Sequence, residues 1–254
     1  MKLCIDVGNS QIYAGLFDGD QLVSRFRKIT QRGASSDELG VFFRQAVREN
    51  GNDPAAIDAV GFCSVVPDLN HSMVNACRRY FNVEPFVLRA GVKTGLKIRY
   101  KNPAEVGADR IVNALAAREL YGAPVLVVDF GTATPFDIVN RAGDYAGGVI
   151  APGLVISAEA LFSHASRLYQ VDVKRPDRLI GNNTGTAMQS GLFFGYVGLV
   201  DGILERLLKE IPDLKNIVAT GGQADLIAGG SKYIEEVNQS LTLLGLKLIH
   251  ELNR

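Results

Sequence analysis

"LCIDVGNSQIYAGLFDGDQLV", residues 3–23, begins as a buried apolar strand and meets an aspartate, a glycine and an asparagine within a few steps. Far downstream "LVVDFGTATPFDIVNRAGDYAGGVI", residues 126–150, does nearly the same, its Asp129 lying 123 positions after Asp6. Each strand ends on Asp-x-Gly followed by small hydroxyl or amide residues, and each is followed by an alternating stretch with hairpin signals. Strand, Asp-x-Gly, hairpin, then helices and strands thus occurs twice. The repeat predicts two α/β domains of similar topology, mixed sheets flanked by helices, residues 1–118 and 119–254, with a cleft between them.

The 254 residues can bury one large core or two ordinary ones, and 47% apolar with 21% charged is a globular composition. Lys+Arg and Asp+Glu are 27 each, so charge offers no case for a nucleic-acid or membrane-surface partner. The most apolar helical stretch, "GLFFGYVGLVDGILERLL", carries Asp201, Glu205 and Arg206 and is too interrupted for a membrane span. Cys4, Cys63 and Cys77 lack metal spacing and are odd in number, which points to reduced thiols and a cytoplasmic setting. No charged leader with a cleavage site is visible.

Helical periodicity predicts helices over 37–50, 69–80, about 103–121, 154–167 and 184–211, and one near the C-terminus. "AIDAVGFCSVVP", "PFVLR", "GLKIRY" and "NIVATGG" read as further strands.

The chemistry concentrates at the strand ends. Gly8 allows close backbone approach, while Asn9, Ser10 and exposed N–H groups suit phosphate oxygens. A carboxylate among phosphates needs a cation between them, so Asp6 implies a divalent metal, most plausibly magnesium. Asp129, Gly131, Thr132 and Thr134 repeat that set, and Thr220–Gly221–Gly222 adds a third glycine break at a strand end. An isolated turn of this kind is ordinary hairpin chemistry; three in this order are not. In "EVGADRIVNALAA", Asp109 sits early in a helix, where the dipole favours an ionised carboxylate able to accept a proton from an attacking hydroxyl. Arg110 can fork onto a carboxylate or phosphate. The plainer alternative is a surface ion-pair group of Glu105, Asp109 and Arg110.

The three turns resemble the actin, sugar-kinase and heat-shock-chaperone ATPase superfamily, with its ribonuclease H-like domains. "DVGNS", "SVVPDLN", "GVKTGLKIRYKNPAEVGADRIVNALAA", "VVDFGTATPFDIV", "GGVIAPGL", "NTGTAMQSG" and "TGG" together resemble type III pantothenate kinase along essentially the whole chain. That resemblance implies ATP-dependent phosphorylation of pantothenate, the first committed step to coenzyme A. It implies that the segment Asp6, Val7, Gly8, Asn9, Ser10, Gln11, Ile12 and Tyr13 holds ATP phosphates with Asp6 near magnesium, and that Thr132 also contacts ATP. Tyr100, Gly107, Ala108, Asp109 and Arg110 would bind pantothenate, with Asp109 as proton acceptor. Asp129 would hold a monovalent cation, potassium or ammonium. Thr184 would reach pantothenate from the neighbouring subunit of a homodimer. Ser10 and Pro135 both stand where the family more often has threonine. Ser10 keeps the hydroxyl; Pro135 does not, and takes no ligand role here.

Two other readings remain open from the residues alone: the same fold acting on another small hydroxy acid or sugar, or a nucleotide-binding regulator without turnover. His71, His164 and His250 lack partners at ligand spacing and read as structural. Gly191, Gly195, Gly198 and Gly202 line one face of the long helix. At about 1 kcal/mol each against alanine they call for close helix approach, within the domain or across a dimer axis.

Overall fold

The computed structural model describes residues 1–254. In the first half, β1 (Lys2–Val7), β2 (Gln11–Asp18) and β3 (Gln21–Ile29) form an antiparallel meander, followed by α1 (Ser36–Glu49), β4 (Ala59–Ser64), α2 (Pro67–Phe81) and β5 (Phe86–Val87). Then α3 (Ala108–Tyr121) leads to a second meander, β6 (Val125–Asp129), β7 (Ala133–Val139) and β8 (Tyr145–Pro152). It is followed by α4 (Leu154–His164), α5 (Thr184–Glu210), β9 (Asn216–Thr220), α6 (Ala224–Ala228), β10 (Glu236–Val237) and α7 (Leu241–Leu252).

The two sheets have one topology. The first runs β3-β2-β1-β4-β5 and the second β8-β7-β6-β9-β10, each with an antiparallel meander on one side and parallel partners on the other. The central strands β1 and β6 are buried on both faces, which is why they read as unbroken apolar runs: Leu3, Cys4 and Ile5, and Val125 to Val128, are all fully buried. Each sheet has its own core, Phe43, Phe62 and Met73 in the first and Phe136, Phe193 and Val200 in the second.

The units differ from a simple cut at residue 118. One comprises Met1–Leu96, Lys101–Ala116 and Leu241–Arg254, the other Lys97–Tyr100 and Ala117–Ser240. The returning α7 packs on β1 and β4 of the first unit. Its Thr242 donates to Asn113 at 2.7 Å, and Gly245 presses on the Val112 backbone, leaving no room for a β-carbon.

Ser35 and Glu38 close a reciprocal cap at the start of α1, as expected of a helix there. The helix expected from residue 103 is instead a single turn, Pro103–Glu105, capped by Asn102 and broken at Val106–Gly107 before α3 begins. "GLKIRY" forms only one bridge, Ile98 to Tyr145. On α5 the glycine face is bare within the chain: a β-carbon at Gly191, Gly195 or Gly198 would meet nothing within 4 Å. The opposite face buries Phe193, Tyr196, Val200 and Leu204.

Candidate active site

The first turn is braced from below. Gly8 N–H donates to the Gln11 carbonyl at 3.1 Å, and a β-carbon at Gly8 would lie 2.9 Å from that oxygen. The turn therefore uses the Gly8 N–H within itself. Thr30 Oγ1 donates to the Gly8 carbonyl at 2.7 Å, while the Thr30 N–H donates to the Ser10 carbonyl at 3.0 Å. Asn9, Ser10 and Gln11 form the exposed tip. Val7 and Ile12 are core residues, so any ligand contact there is through backbone. Tyr13 lies under the Arg27 guanidinium, 4.6 Å from ring centroid to carbon. Asp6 is half-buried, and its Oδ1 accepts the Cys63 thiol at 3.3 Å.

Asp109 is the second residue of α3. Its Oδ1 turns back to accept the Arg110 N–H at 2.9 Å and fills the space where Gly107 lacks a side chain. Burial pushes this carboxyl above its ordinary 3.8, opposed by that N–H and by the Arg110 charge. The sequence reading weighed only the helix dipole and missed the desolvation. The result is a stronger base than a free carboxylate. Arg110 is itself buried, and Glu105 is exposed and accepts from Asn102 at 3.0 Å rather than standing in a surface cluster. Asp6 and Asp109 both bear electrostatically on the Cys63 thiol, so the two acids face one region of the first unit.

In the second unit the two glycine turns are stitched together. Phe130 N–H donates to the Thr220 carbonyl at 2.8 Å, and Gln223 N–H to the Phe130 carbonyl at 3.3 Å. Gly221, at φ +93°, lies so close to the Asp129 carboxylate and Phe130 backbone that no side chain fits. The Thr220–Gly222 break thus also seats Asp129. Thr132 is exposed, and its carbonyl accepts the Gly153 N–H at 3.1 Å. Thr134 departs from the expected pattern. It is fully buried and bonded to the Tyr196 hydroxyl, which also donates to the Pro152 carbonyl at 3.2 Å, so it is a strut and not a ligand. Tyr100 rests its ring against Gly147 and 6.3 Å from Tyr145, whose hydroxyl donates to buried Asp137 at 2.7 Å. Thr184 is exposed at the start of α5, just after the Asn183 cap.

No three His, Cys, Asp or Glu side chains gather as a protein-only metal cage. A lone strand-end carboxylate such as Asp6 instead fits magnesium delivered with phosphate oxygens. Thr30 and Cys63 were missed in the sequence because their roles depend on strand pairing, not on local pattern.

The family model for type III pantothenate kinase matches residues 2–206. The chain belongs to that family. The Type III pantothenate kinases of Pelobacter propionicus and Geobacter sulfurreducens are 51% and 50% identical to it, each over 100% of both chains. Among solved structures, a ROK family glucokinase from Streptomyces griseus in complex with glucose and AMPPNP is similar at TM-score 0.53 and 14% identity, covering 98% of this chain and 99% of that one. The ethanolamine utilization protein EutJ from Carboxydothermus hydrogenoformans is similar at TM-score 0.56 and 14% identity, covering 98% and 89%. These two likenesses concern the fold, which is the actin-like fold of sugar kinases. Family membership rests on the full-length relatives, and it places "GADR" and "DFGTAT" within a type III pantothenate kinase sequence.

Proposed function

We propose that this kinase transfers the γ-phosphoryl group of ATP to the primary hydroxyl of pantothenate, the first step toward coenzyme A. The observation that carries the reading is identity of about half over the entire length of Type III pantothenate kinases. In the reaction the hydroxyl proton passes to the Asp109 carboxylate, the alcohol oxygen bonds to the γ-phosphorus, the bridging bond to the β-phosphate breaks, and ADP leaves. Phosphoryl transfer asks mainly for positioning and charge stabilisation, so a carboxylate suffices as the proton acceptor. Gly107, Ala108, Arg110 and Tyr100 hold pantothenate, the guanidinium serving its carboxylate.

The tip Asn9–Gln11 and Thr132 hold ATP. Asp6 would hold the magnesium that accompanies ATP, which would supply positive charge to the phosphates. Asp129 would hold potassium or ammonium beside the Gly221 turn. The bare glycine face of α5 packs against a second copy, whose exposed Thr184 completes the pantothenate pocket. Three buried free cysteines fit a cytoplasmic enzyme.

The test is product identity. Protein with magnesium, ATP, potassium and pantothenate should yield ADP and phosphopantothenate in equal amounts by mass spectrometry, while sugars and short hydroxy acids yield none. Phosphorylation of a sugar in preference to pantothenate would replace this reading with the broader one. Gly195→Leu should shift the solution mass from dimer to monomer, and an unchanged dimer would remove α5 from the interface.

A further inference from the structure

Strand register lines up three residues across the first sheet: Arg27 on β3 opposes Tyr13 on β2, and Tyr13 opposes Asp6 on β1. Directly paired residues share a face, so Arg27 stands on the face that carries Asp6. Its guanidinium carbon lies 4.6 Å from the Tyr13 ring centroid, and the side chain is exposed. Two residues further along the same strands, about 7 Å away, the Gln11–Ile29 pair ends at the exposed tip Asn9–Gln11. Arg78, Arg79, Arg99, Arg118 and Arg141 each pair with a carboxylate, whereas Arg27 pairs with none. We propose that Arg27 binds the phosphates of ATP, its guanidinium held ready by the Tyr13 ring. The inference rests on the reading of the tip as the ATP phosphate site.

The chemistry favours an arginine here. A long side chain on an open strand gives up rotamer freedom when it closes on a ligand. Stacking on Tyr13 removes part of that freedom beforehand, and it covers one flat side of the guanidinium while leaving the N–H edge open. That edge presents donors in a fork that matches two phosphate oxygens. The turn uses the Gly8 N–H within itself, so phosphate oxygens at the tip depend more on side-chain donors beside it. Charge acts in the same direction. A triphosphate at the tip lies near the Asp6 carboxylate, and a positive charge on the same face offsets that repulsion.

The experiment measures equilibrium binding of a non-hydrolysable ATP analogue and of adenosine to the parent, Arg27→Gln and Arg32→Gln. Arg27→Gln should weaken the analogue about 10-fold, the scale of a lost charge-assisted hydrogen bond, and leave adenosine within about twofold. Arg32→Gln removes another exposed charge of the same basic stretch and should leave both ligands within about twofold. Equal weakening of analogue and adenosine in Arg27→Gln would show a disturbed fold, and an equal loss in Arg32→Gln a diffuse field; either overturns the proposal. A second measurement needs no variant. An arginine-specific dicarbonyl reagent should label Arg27 in the unliganded parent and at least fivefold less with the analogue bound, read by peptide mass spectrometry, while adenosine gives no protection. Labelling that the analogue leaves unchanged also overturns it. If the parent binds the analogue and Arg27→Gln binds it equally well, the Arg27 proposal falls and the reading of the tip stands. If the parent binds no analogue, the reading of the tip falls and this proposal with it.

Discussion

Asp6 and Asp129 occupy the same place in two sheets of one topology, yet their surroundings differ. Asp6 pairs in register with Cys63, and Asp129 with Thr220. The first turn adds side-chain contacts to its backbone bonds, Thr30 on the Gly8 carbonyl and the Cys63 thiol on its acid. The second is held by backbone, with Gly221 and Gly153 pressed against it and the Thr134 hydroxyl withdrawn into the core. Duplication of a strand–turn–strand unit therefore conserves the position of a carboxylate, while the strand beside it decides what that carboxylate is prepared to do. An acid at an open polar tip suits a hydrated divalent ion among phosphates. An acid seated on glycine backbone suits a larger, weakly charged ion.

Charge removal should separate the two turns most sharply. Asp6→Asn should lower kcat about 100- to 1,000-fold, the range for losing a key electrostatic contact, at saturating potassium. Asp129→Asn should cost about 10- to 100-fold and abolish the response to potassium. Potassium dependence lost in Asp6→Asn and kept in Asp129→Asn would invert the assignment.

Glycine substitution comes next, read as stability. Gly221→Ala should cost about 1–3 kcal/mol, because its positive φ and the Asp129–Phe130 contact both resist a side chain. Gly8→Ala has no such φ and meets one backbone atom, the Gln11 carbonyl at 2.9 Å, so denaturant melts should rank its cost below that of Gly221→Ala. The struts give the smallest effects and the finest distinction. Thr134→Val should destabilise by about 1–3 kcal/mol with kinetics nearly intact, since it disturbs a buried hydroxyl pair. Thr30→Val should cost only about 0.5–1.5 kcal/mol yet raise the KM for ATP, because the tip it steadies is loosened. A kinetic effect at Thr134 and none at Thr30 would contradict the contrast.

Much of this was readable from local pattern. The duplicated Asp-x-Gly strands gave the two-sheet architecture, because doubly buried strands must be apolar and their polar ends stand out. Asp109 and Arg110 stood out at a helix start. Pairing across the chain was not readable. Nothing near Thr30 announces that it carries the first turn, and Thr134 matches Thr132 in composition, yet Thr132 stands exposed ahead of β7 while Thr134 is fully buried within it. The return of α7 to the first unit was equally hidden, since amphipathic helices do not state which sheet they cover. Desolvation of Asp109 depends on surrounding packing and escaped a reading based on the helix dipole.

The central claim is that Asp109 takes the proton from pantothenate, and it is tested most directly by kcat/KM for pantothenate against pH. A carboxyl raised in the folded protein is active above its pKa and inactive below it. The parent should therefore lose activity through a single protonation as pH falls, with a midpoint above the ordinary 3.8. The same upward shift means that the ionised acid destabilises the fold at neutral pH, so Asp109→Asn should melt higher than the parent there. In that variant kcat/KM should fall about 100- to 10,000-fold and the acid limb should vanish. A variant that keeps both the parent's rate and its acid limb would contradict the account.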